Sequence, residues 1–370
     1  MSLANFAYIP LSIFLLITPS TTALSVNTQQ TNDLPASLQT STENQFMVGY
    51  LTVSWGAMLT ISQASSAGYN IVVAAFGVIN GANPVQFTNN MFNGYAPWQQ
   101  ITDKTVTDIK NDIITAKTAS GLRYVLLSVG GGSNTFKPNG AAPDAIAQQI
   151  VDFLHKFTFD GIDFDLEGIA AGYNSSDLVA LIQAIKFLDP KLIITCAPQL
   201  NAVNNQLDYV NTGTSQVYTD AINQGLFNFI FVQEYNTDIN YLNQEGDLWV
   251  RPYIEPPAPQ PEPPAGYFNE TSPEFIVYSF NVLKKITPYS SIIIPGQPAT
   301  KASAGASIFT GSHQAAPYEA MANSYKQLIN DPQFGGAMVW DIGSDYLNNY
   351  QYQFIQTIKP AIISVPRLSH

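Results

Sequence analysis

Short apolar segments recur eight times along the chain and alternate with longer segments of helical periodicity. This alternation implies a parallel sheet with crossover helices, and eight units are the number that closes a (β/α)8 TIM barrel. We therefore predict an α/β fold of that architecture, with an open doubly wound sheet as the alternative. The candidate strands are FMVGYLTV (46–53), NIVVAAFGVI (70–79), LRYVLLSVGG (122–131), FDGIDFDLEG (159–168), KLIITCAP (191–198), FNFIFVQEYN (227–236), SIIIPGQPA (291–299) and GGAMVWDIG (335–343).

The segments between these strands carry apolar residues at helical spacing. The clearest candidate helices are residues 106–120, 143–157, 176–188 and 317–330. One connection breaks the pattern, because residues 251–268 contain too many prolines for a helix or a strand and should run extended over the surface. This segment is either a rigid surface loop or a loop that shapes one end of a binding groove.

The first 44 residues differ in composition from the rest of the chain. Residues 1–24 contain the apolar run PLSIFLLITPSTTAL, which has the length of a secretory signal peptide, although no Lys or Arg precedes it. Residues 25–44 are polar and are predicted to be a linker, so the barrel domain should occupy residues 45–365. We expect a secreted, extracellular protein that has no membrane attachment once the signal peptide is removed. With Cys196 as the single cysteine, no disulfide can form within the chain.

The net charge of −12 excludes some classes of partner. Nucleic acids and anionic membrane surfaces are bound mainly through Lys and Arg, so we expect this chain to bind neither of them. A neutral ligand is more compatible with the acidic composition. Aromatic residues make up 12% of the chain, and together with many Asn and Gln they are often suited to binding sugars. We expect the protein to be a monomer.

The segment FDGIDFDLEG (159–168) places four acidic residues in a predicted strand. Side chains alternate between the two faces of a strand, so Asp163, Asp165 and Glu167 should share one face. In a barrel these acids would point inward, with Glu167 nearest to the C-terminal mouth, where such barrels carry active sites. The other face should pack under the helices through its apolar members, Ile162, Phe164 and Leu166.

Acidic side chains along one interior line cannot all ionise at low cost, because like charges repel and burial penalises each charge. In an extended strand the Cα atoms of Asp165 and Glu167 would be about 6.6 Å apart, close enough to couple their protonation. Glu167 can then stay protonated near neutral pH beside an ionised or proton-sharing Asp165, as a general acid requires. A metal site is the alternative, but Ca²⁺ usually takes its oxygen ligands from a flexible loop, so we predict no metal.

Other catalytic patterns are not indicated by the sequence. The histidines lie in a predicted helix (His155), a loop (His313) and the C-terminus (His370), and they suggest neither a metal triad nor a Ser-His-Asp arrangement. The glycines at 130–132 lack the GK[ST] of a phosphate-binding loop, so room for a sugar is a better explanation for Gly131. We expect no cofactor.

The motif DGIDFDLEG resembles the DGxDxDxE signature of glycoside hydrolase family 18, the chitinases and their relatives. Further resemblance is spread along the predicted barrel, over roughly residues 46–358. LLSVGGG (126–132) is similar to the family's SxGG motif, VQEYN (232–236) to its QxYN motif and GGAMVWDIGSD (335–345) to its strand-eight segment with tryptophan. TCAPQ (195–199) and PGQPATKASAG (295–305) resemble the branch that contains the hevamine-like plant proteins and related bacterial proteins.

The resemblance implies a substrate-assisted, retaining hydrolysis of chitin or N-acetylglucosamine oligosaccharides. Glu167 would protonate the glycosidic oxygen and later activate water, while the acetamido carbonyl of the substrate attacks the anomeric carbon. Asp165 would orient the acetamido N–H, with Asp163 behind it as a proton-sharing partner. Tyr235 would donate a hydrogen bond to the same acetamido group.

Several further residues are candidates for contacts with the sugar. Gln233 and Tyr235 are two positions apart on a strand and can both face the mouth, while Glu234 should point away. Trp340 could form an apolar floor for a pyranose ring, and Tyr50 is a similar candidate, with core packing as the alternative for both. The remaining substrate-binding candidates are Asn236, Gly131 and Gln199.

Three functions are compatible with these features. We favour a secreted, endo-acting chitinase, because roughly 40 residues between the seventh and eighth strands leave no room for the additional domain that deepens the cleft in one branch of the family. An endo-β-N-acetylglucosaminidase acting on N-glycans is the first alternative. The second is a non-catalytic chitin-binding lectin, although such proteins commonly lack the acid that corresponds to Glu167.

Overall fold

The computed structural model describes residues 45–52, 59–88, 103–167, 173–211, 215–237, 240–311, 315–348 and 351–363. The predicted signal peptide and the predicted linker lie outside these ranges, as do Gly168, His313 and the last two residues of the predicted barrel domain. Among the helices found within these ranges, none has both the length and the apolar composition needed to cross a membrane.

Eight parallel strands form a closed barrel, which confirms the predicted (β/α)8 architecture. Each strand pairs with the next one along the chain, and the eighth pairs with the first. The open doubly wound sheet is therefore wrong for this chain. In chain order the barrel strands are β1 (Phe46–Leu51), β2 (Ile71–Asn80), β3 (Tyr124–Gly130), β4 (Gly161–Asp165), β5 (Ile193–Cys196), β6 (Phe229–Gln233), β7 (Ile292–Pro298) and β8 (Gly336–Trp340).

Helices connect these strands and pack against the outer face of the barrel. The four predicted helices are present within a few residues of their predicted bounds. The α-helices of the described ranges are α1 (Ile61–Ala67), α2 (Asp103–Ala119), α3 (Pro143–Phe157), α4 (Ser175–Leu188), α5 (Thr219–Asn223), α6 (Glu274–Leu283), α7 (Pro317–Leu328), α8 (Ile342–Leu347) and α9 (Gln353–Ile362).

Short additional strands extend the connections that follow the barrel strands. The connection after β5 contains an antiparallel hairpin, Gln199–Val203 with Gln206–Val210, and the connection after β6 contains a second one, Asn240–Leu242 with Leu248–Val250. Residues 251–265 then form neither helix nor strand and are mostly exposed, as predicted for the proline-rich loop. Two smaller strands, Gln86–Phe87 and Phe136–Lys137, pair with the end of β2.

Alternation along the strands divides the apolar core into two clusters. In β1, Phe46, Val48 and Tyr50 belong to the cluster inside the barrel. Met47 and Leu51 belong to the larger cluster between the barrel and the helices. Residues two positions apart share a face of a strand, so one nearly all-apolar strand contributes to both clusters.

β4 follows the same alternation but carries acids on its inner face. Ile162 and Phe164 join the outer cluster, as predicted. Asp163 and Asp165 are buried at inner positions that apolar side chains occupy on the other strands. The inner face of β4 therefore carries ionisable carboxyl groups where the other strands carry apolar side chains.

Glu234 points away from the barrel mouth, as predicted, but it does not reach solvent. Its buried carboxyl accepts hydrogen bonds from Ser279 on α6 and from Gln297 on β7. Burial raises the pKa of Glu234 well above its usual range, and the hydrogen bonds from Ser279 and Gln297 oppose that rise. The buried Glu234 carboxyl therefore links the end of β6 to α6 and β7.

Replacing Glu234 by glutamine should flatten the dependence of stability on pH. Because the folded-state pKa is raised, the stability from protonated Glu234 is fully present below the unfolded pKa of about 4.3 and is lost as the pH rises through the folded pKa. We expect the melting temperature of the wild type to fall by more between about pH 6 and pH 9 than that of Glu234→Gln. All other ionisable groups are shared by the two proteins, so equal slopes would show that Glu234 is ionised in the folded state.

Candidate active site

The candidate site lies where β4 ends, at the C-terminal mouth of the barrel. Asp165 is the last residue of β4, and the amide of Glu167 donates a hydrogen bond to the Asp165 carbonyl oxygen at 3.1 Å. The backbone therefore turns between them, and the predicted extended spacing of about 6.6 Å does not apply. Glu167 still reaches the mouth, but through a turn and not as a further residue of the strand.

Two residues, Gly131 and Tyr218, hold this turn in place. The Gly131 amide donates to the Asp165 carbonyl oxygen at 2.6 Å. The Tyr218 hydroxyl accepts from the Leu166 amide at 2.7 Å and donates to the Phe164 carbonyl oxygen at 3.0 Å. Sequence reasoning missed Tyr218, because it precedes α5 in a connection that carries no motif. Its buried phenol fixes the backbone that carries Asp165 and Glu167.

Asp163 is held by three hydroxyl groups from three other strands. Its carboxyl accepts from Tyr50 on β1 at 2.8 Å, Ser128 on β3 at 2.7 Å and Thr195 on β5 at 2.6 Å. Burial raises the pKa of Asp163, and these three donors oppose the rise. Hydroxyl groups that donate to both carboxyl oxygens favour the ionised form. Asp163 is thus anchored by hydroxyls. The proton sharing with Asp165 that the family resemblance implies stays a prediction.

The hydrogen-bonded partner of Asp165 is Glu167. Burial raises the pKa of Asp165 well above its usual range, and the adjacent charges of Glu167 and Asp163 raise it further. Burial also raises the pKa of Glu167, while hydrogen bonds from Gln233 and Asp165 oppose that rise. The pair therefore holds one proton between two carboxyl groups at a pH where isolated carboxyls would both be ionised.

Gln233 contacts both carboxyl groups of the pair. Its side-chain nitrogen Nε2 lies 3.0 Å from Asp165 Oδ1, 3.5 Å from Glu167 Oε1 and 2.9 Å from the carbonyl oxygen of Ala197. Gln233 was predicted to bind the substrate, and it does face the mouth. Its amide protons, however, are directed at protein acceptors.

Tyr235 lies beside the pair with its ring buried. Burial and the nearby carboxyls of Asp165, Glu167 and Asp341 raise the pKa of Tyr235 well above its usual range. Its hydroxyl therefore stays protonated and can donate a hydrogen bond. Within the described ranges the structure shows no protein acceptor for this hydroxyl, which leaves it available to a ligand.

Aromatic rings form the floor next to these groups. The half-buried Trp340 ring lies 5.6 Å from the Tyr50 ring and 6.0 Å from the Phe76 ring, measured between centroids. Tyr50 is only 1% exposed, and its hydroxyl is directed at Asp163. Trp340 thus has an accessible face, whereas Tyr50 lies underneath it and supports Asp163.

The glycines at the end of β3, Gly130 and Gly131, are required by the backbone conformation and by close packing. Gly131 has a φ of +64°, and a Cβ atom there would lie 2.5 Å from the Phe76 ring. A Cβ atom on Gly130 would lie 1.9 Å from the Asp165 carbonyl oxygen. Only glycine permits this backbone conformation and this close approach. Phe76 therefore explains why residue 131 is a glycine, and the sugar contact at Gly131 stays a prediction.

Asn236 and Gln199 lie at the edge of the site. The Asn236 side-chain oxygen accepts from the amides of Gly305 and Ala306 at 3.0 and 3.1 Å, which ties the end of β6 to the connection after β7. Gln199 pairs in register with Gln233 across the adjacent strand. The sequence predicted sugar contacts for both residues, and the structure gives Asn236 an additional role in loop positioning.

Asp341 is a buried acid that sequence reasoning did not select. It follows Trp340 directly and caps α8, with its Oδ1 accepting from the Ser344 amide at 2.8 Å. Burial raises the pKa of Asp341 to about 6. The sequence feature that could have identified Asp341 is its position in the WDIGSD segment, because an Asp directly before a short helix is a typical N-cap. No group of three or more metal-ligating side chains occurs within the described ranges.

Several proteins with a similar sequence are named as chitinases. A chitinase of Enterococcus faecalis is 26% identical over 82% of this chain and 82% of its own length. Chitinase Chi52 of Paenibacillus xylanexedens is 25% identical over 91% of this chain, which spans 64% of that longer protein. The crystal structure of a family GH18 chitinase from Chromobacterium violaceum is similar in fold, with a TM-score of 0.59, 18% identity, and coverage of 86% of this chain and 83% of that chain.

The family profile described as Glycosyl hydrolases family 18 matches residues 46–248, which is more than half of the chain. The matched range contains the acidic pair at the end of β4 together with Gln233 and Tyr235. On this match, the protein belongs to glycosyl hydrolase family 18.

Proposed function

We propose that this protein hydrolyses the β-1,4 linkages between N-acetylglucosamine residues of chitin, with Glu167 as acid and base and the substrate's acetamido group as nucleophile. Membership of the family and the chitinases among its relatives support the substrate class. The geometry of the two carboxyl groups after β4 supports the mechanism.

The observation that carries this proposal is that the carboxyl groups of Asp165 and Glu167 meet at one donor, Gln233 Nε2, at 3.0 and 3.5 Å, and hydrogen-bond to each other. Hydrogen-bonded carboxyl oxygens are about 2.5–3 Å apart. Glycosidases that use one carboxyl as acid and another as nucleophile or base separate the two groups by about 5 Å or more. Two carboxyl groups that hydrogen-bond to each other are not spaced to hold a sugar carbon or a water molecule between them. The nucleophile is therefore assigned to the substrate, as in substrate-assisted glycosidases.

Each residue of the site has a separate role in this mechanism. Glu167 donates its proton to the glycosidic oxygen while the acetamido carbonyl oxygen attacks the anomeric carbon, so that the glycosidic bond breaks and an oxazolinium ion forms. Asp165 accepts the acetamido N–H and offsets the positive charge, and Tyr235 donates a hydrogen bond to the acetamido oxygen. Water, deprotonated by Glu167, then attacks the anomeric carbon from the other side. Two inversions at one carbon give net retention.

The surrounding residues position this machinery and the sugar. The accessible face of Trp340 stacks against the apolar C–H face of the pyranose ring whose linkage is cut. Asp163 acts through the strand, because its three hydroxyl partners fix β4 against β1, β3 and β5. Gln199 and Asn236 border the same cleft.

We further propose that the enzyme is exported and cuts within the polymer. The apolar run at residues 10–24 supports export. In the connection from β7 to β8, the described residues form a short 3-10 helix, Ile308–Thr310, and α7. Among its described residues this connection holds no inserted domain of the kind that deepens the cleft, which supports an open groove that admits a polymer at internal linkages.

Replacing Glu167 by glutamine should abolish most hydrolysis and preserve binding. Glutamine has nearly the same shape but cannot donate the proton, so we expect kcat on chitin oligosaccharides to fall by about 10²- to 10⁴-fold. The dissociation constant for the same oligosaccharides should change little. Glu319→Gln on α7, an exposed site on the outside of the barrel, is the matched control and should hydrolyse like the wild type.

The same assay separates the alternatives. Unchanged hydrolysis by Glu167→Gln would remove Glu167 from the role of acid. A wild-type protein that binds chitin oligosaccharides without cutting them would be a lectin. Cleavage of a high-mannose glycoprotein in place of chitin oligosaccharides would identify an endo-β-N-acetylglucosaminidase.

Removing the acetyl group of the substrate should prevent the reaction. Fully deacetylated chitosan lacks the carbonyl oxygen that attacks the anomeric carbon, so we expect no cleavage. On acetylated oligosaccharides the initial products should be β-anomers, which NMR spectroscopy detects before mutarotation. Efficient cleavage of chitosan, or initial α-anomers, would contradict substrate-assisted retention.

A further inference from the structure

The Gln233 side chain has two amide protons and three acceptors in its surroundings. The carbonyl oxygen of Ala197 lies 2.9 Å from Nε2, Asp165 Oδ1 lies 3.0 Å away and Glu167 Oε1 lies 3.5 Å away. A backbone carbonyl can only accept hydrogen bonds, so Ala197 fixes the nitrogen of the amide on this side. One N–H is used by Ala197, and the second N–H is left for the carboxyl pair.

The second N–H favours one member of the pair over the other. At 3.0 Å the contact with Asp165 is a good hydrogen bond, whereas the contact with Glu167 at 3.5 Å is long. A hydrogen bond from a donor stabilises the ionised form of a carboxyl. Gln233 therefore stabilises negative charge on Asp165 more than on Glu167.

Burial acts in the opposite direction. Asp165 is 3% exposed, whereas Glu167 is only partly buried. Desolvation alone would therefore place the shared proton on Asp165, and Glu167 would be ionised. An ionised Glu167 cannot protonate the glycosidic oxygen.

We propose that Gln233 is a positioning residue that stabilises the charge on Asp165 and so shifts the shared proton of the carboxyl pair toward Glu167, and that it does not bind the sugar. This inference rests on the proposed function, because it concerns the general acid of that mechanism. Gln233 is 5% exposed, and both of its amide protons are directed at protein oxygens. A sugar hydroxyl could bind this nitrogen only by displacing Ala197 or Asp165.

The other ionisable groups near the pair do not supply this bias. Asp163 on β4 raises the pKa of Asp165 through its charge. Four other ionisable groups lie nearby, namely Tyr50 on β1, Tyr218 before α5, Tyr235 after β6 and Asp341 after β8. Within the described ranges, the structure shows no hydrogen bond from any of these groups to Asp165 or Glu167.

The test is Gln233→Met, which keeps the length of the side chain and removes its N–H groups. Without the donor the shared proton moves toward Asp165, so we expect kcat on chitin oligosaccharides to fall about tenfold. The Gln233 donor also stabilises the pair after both carboxyls have ionised. Its loss therefore raises the pKa for the loss of the last proton, and the alkaline limb of the kcat profile should move up by about one pH unit. The dissociation constant of the oligosaccharide should stay at the wild-type value.

The three readouts separate this role from its alternatives. A higher dissociation constant for the oligosaccharide, with the alkaline limb of the kcat profile unchanged, would assign Gln233 to sugar binding. A lower kcat with an unmoved limb would mean a structural role only. Gln327→Met is the matched control, since Gln327 is an exposed glutamine on α7, on the outside of the barrel; its alkaline limb should coincide with that of the wild type.

A titration of the free protein tests the inference without any substrate. With ¹³C-labelled carboxyl groups, and with Glu167→Gln and Asp165→Asn used for assignment, the last titration step of the pair should move to higher pH in Gln233→Met. An unmoved step would overturn the proposal. If the wild type failed to hydrolyse chitin, the proposed function would be wrong, yet this titration would still decide whether Gln233 controls the pair.

Discussion

The site depends on a hydrogen bond between two carboxyl groups, which exists only while they hold a proton between them. Two ionised carboxylates in contact repel strongly in a buried setting, and two neutral ones could not offset a developing positive charge. Asp165 and Glu167 therefore need surroundings that keep one proton and one charge together. The barrel provides this through partial burial, through the Gln233 amide and through a backbone turn that brings the second carboxyl back over the first.

This arrangement is unfavourable for the fold. Burial raises the pKa of Asp163, Asp165, Glu167 and Glu234, so each of these groups holds its proton more tightly in the folded chain than in the unfolded chain. Each such group lowers stability as the pH rises. The opposing contribution comes from apolar burial on both sides of the strands, inside the barrel and under the helices.

The sequence predicts the parts of this structure that depend on local patterns. Eight apolar segments alternating with helices define the barrel, and the period of two along β4 places Asp163 and Asp165 inside. The extended spacing predicted between Asp165 and Glu167 was wrong. In the sequence, Leu166 and Glu167 continue the apolar–acidic alternation of the strand, but in the structure the backbone turns directly after Asp165. That turn depends on Gly131 and Tyr218, which come from two other connections.

The contacts that sequence reasoning missed are pairings between distant segments. Nothing in the segment around Tyr218 indicates that its phenol fastens β4, and nothing around Gly131 indicates that Phe76 fills the space against it. Glu234 was expected to point away from the mouth, but its burial depends on Ser279 and Gln297 in later elements. Residue type and periodicity define which face a side chain takes; they do not define which partner meets it.

The three hydroxyl partners of Asp163 have a consequence for the assembly of the barrel. The Tyr50 and Asp163 contact joins residues 113 positions apart, and the Thr195 contact adds a strand that follows β4 in the chain. Contacts of such long separation form late, since a large loop must close first. A chain that has completed only its first four strands cannot yet hold Asp163 in place. Hydrolytic competence would then require that β1, β3 and β5 have all assembled around β4.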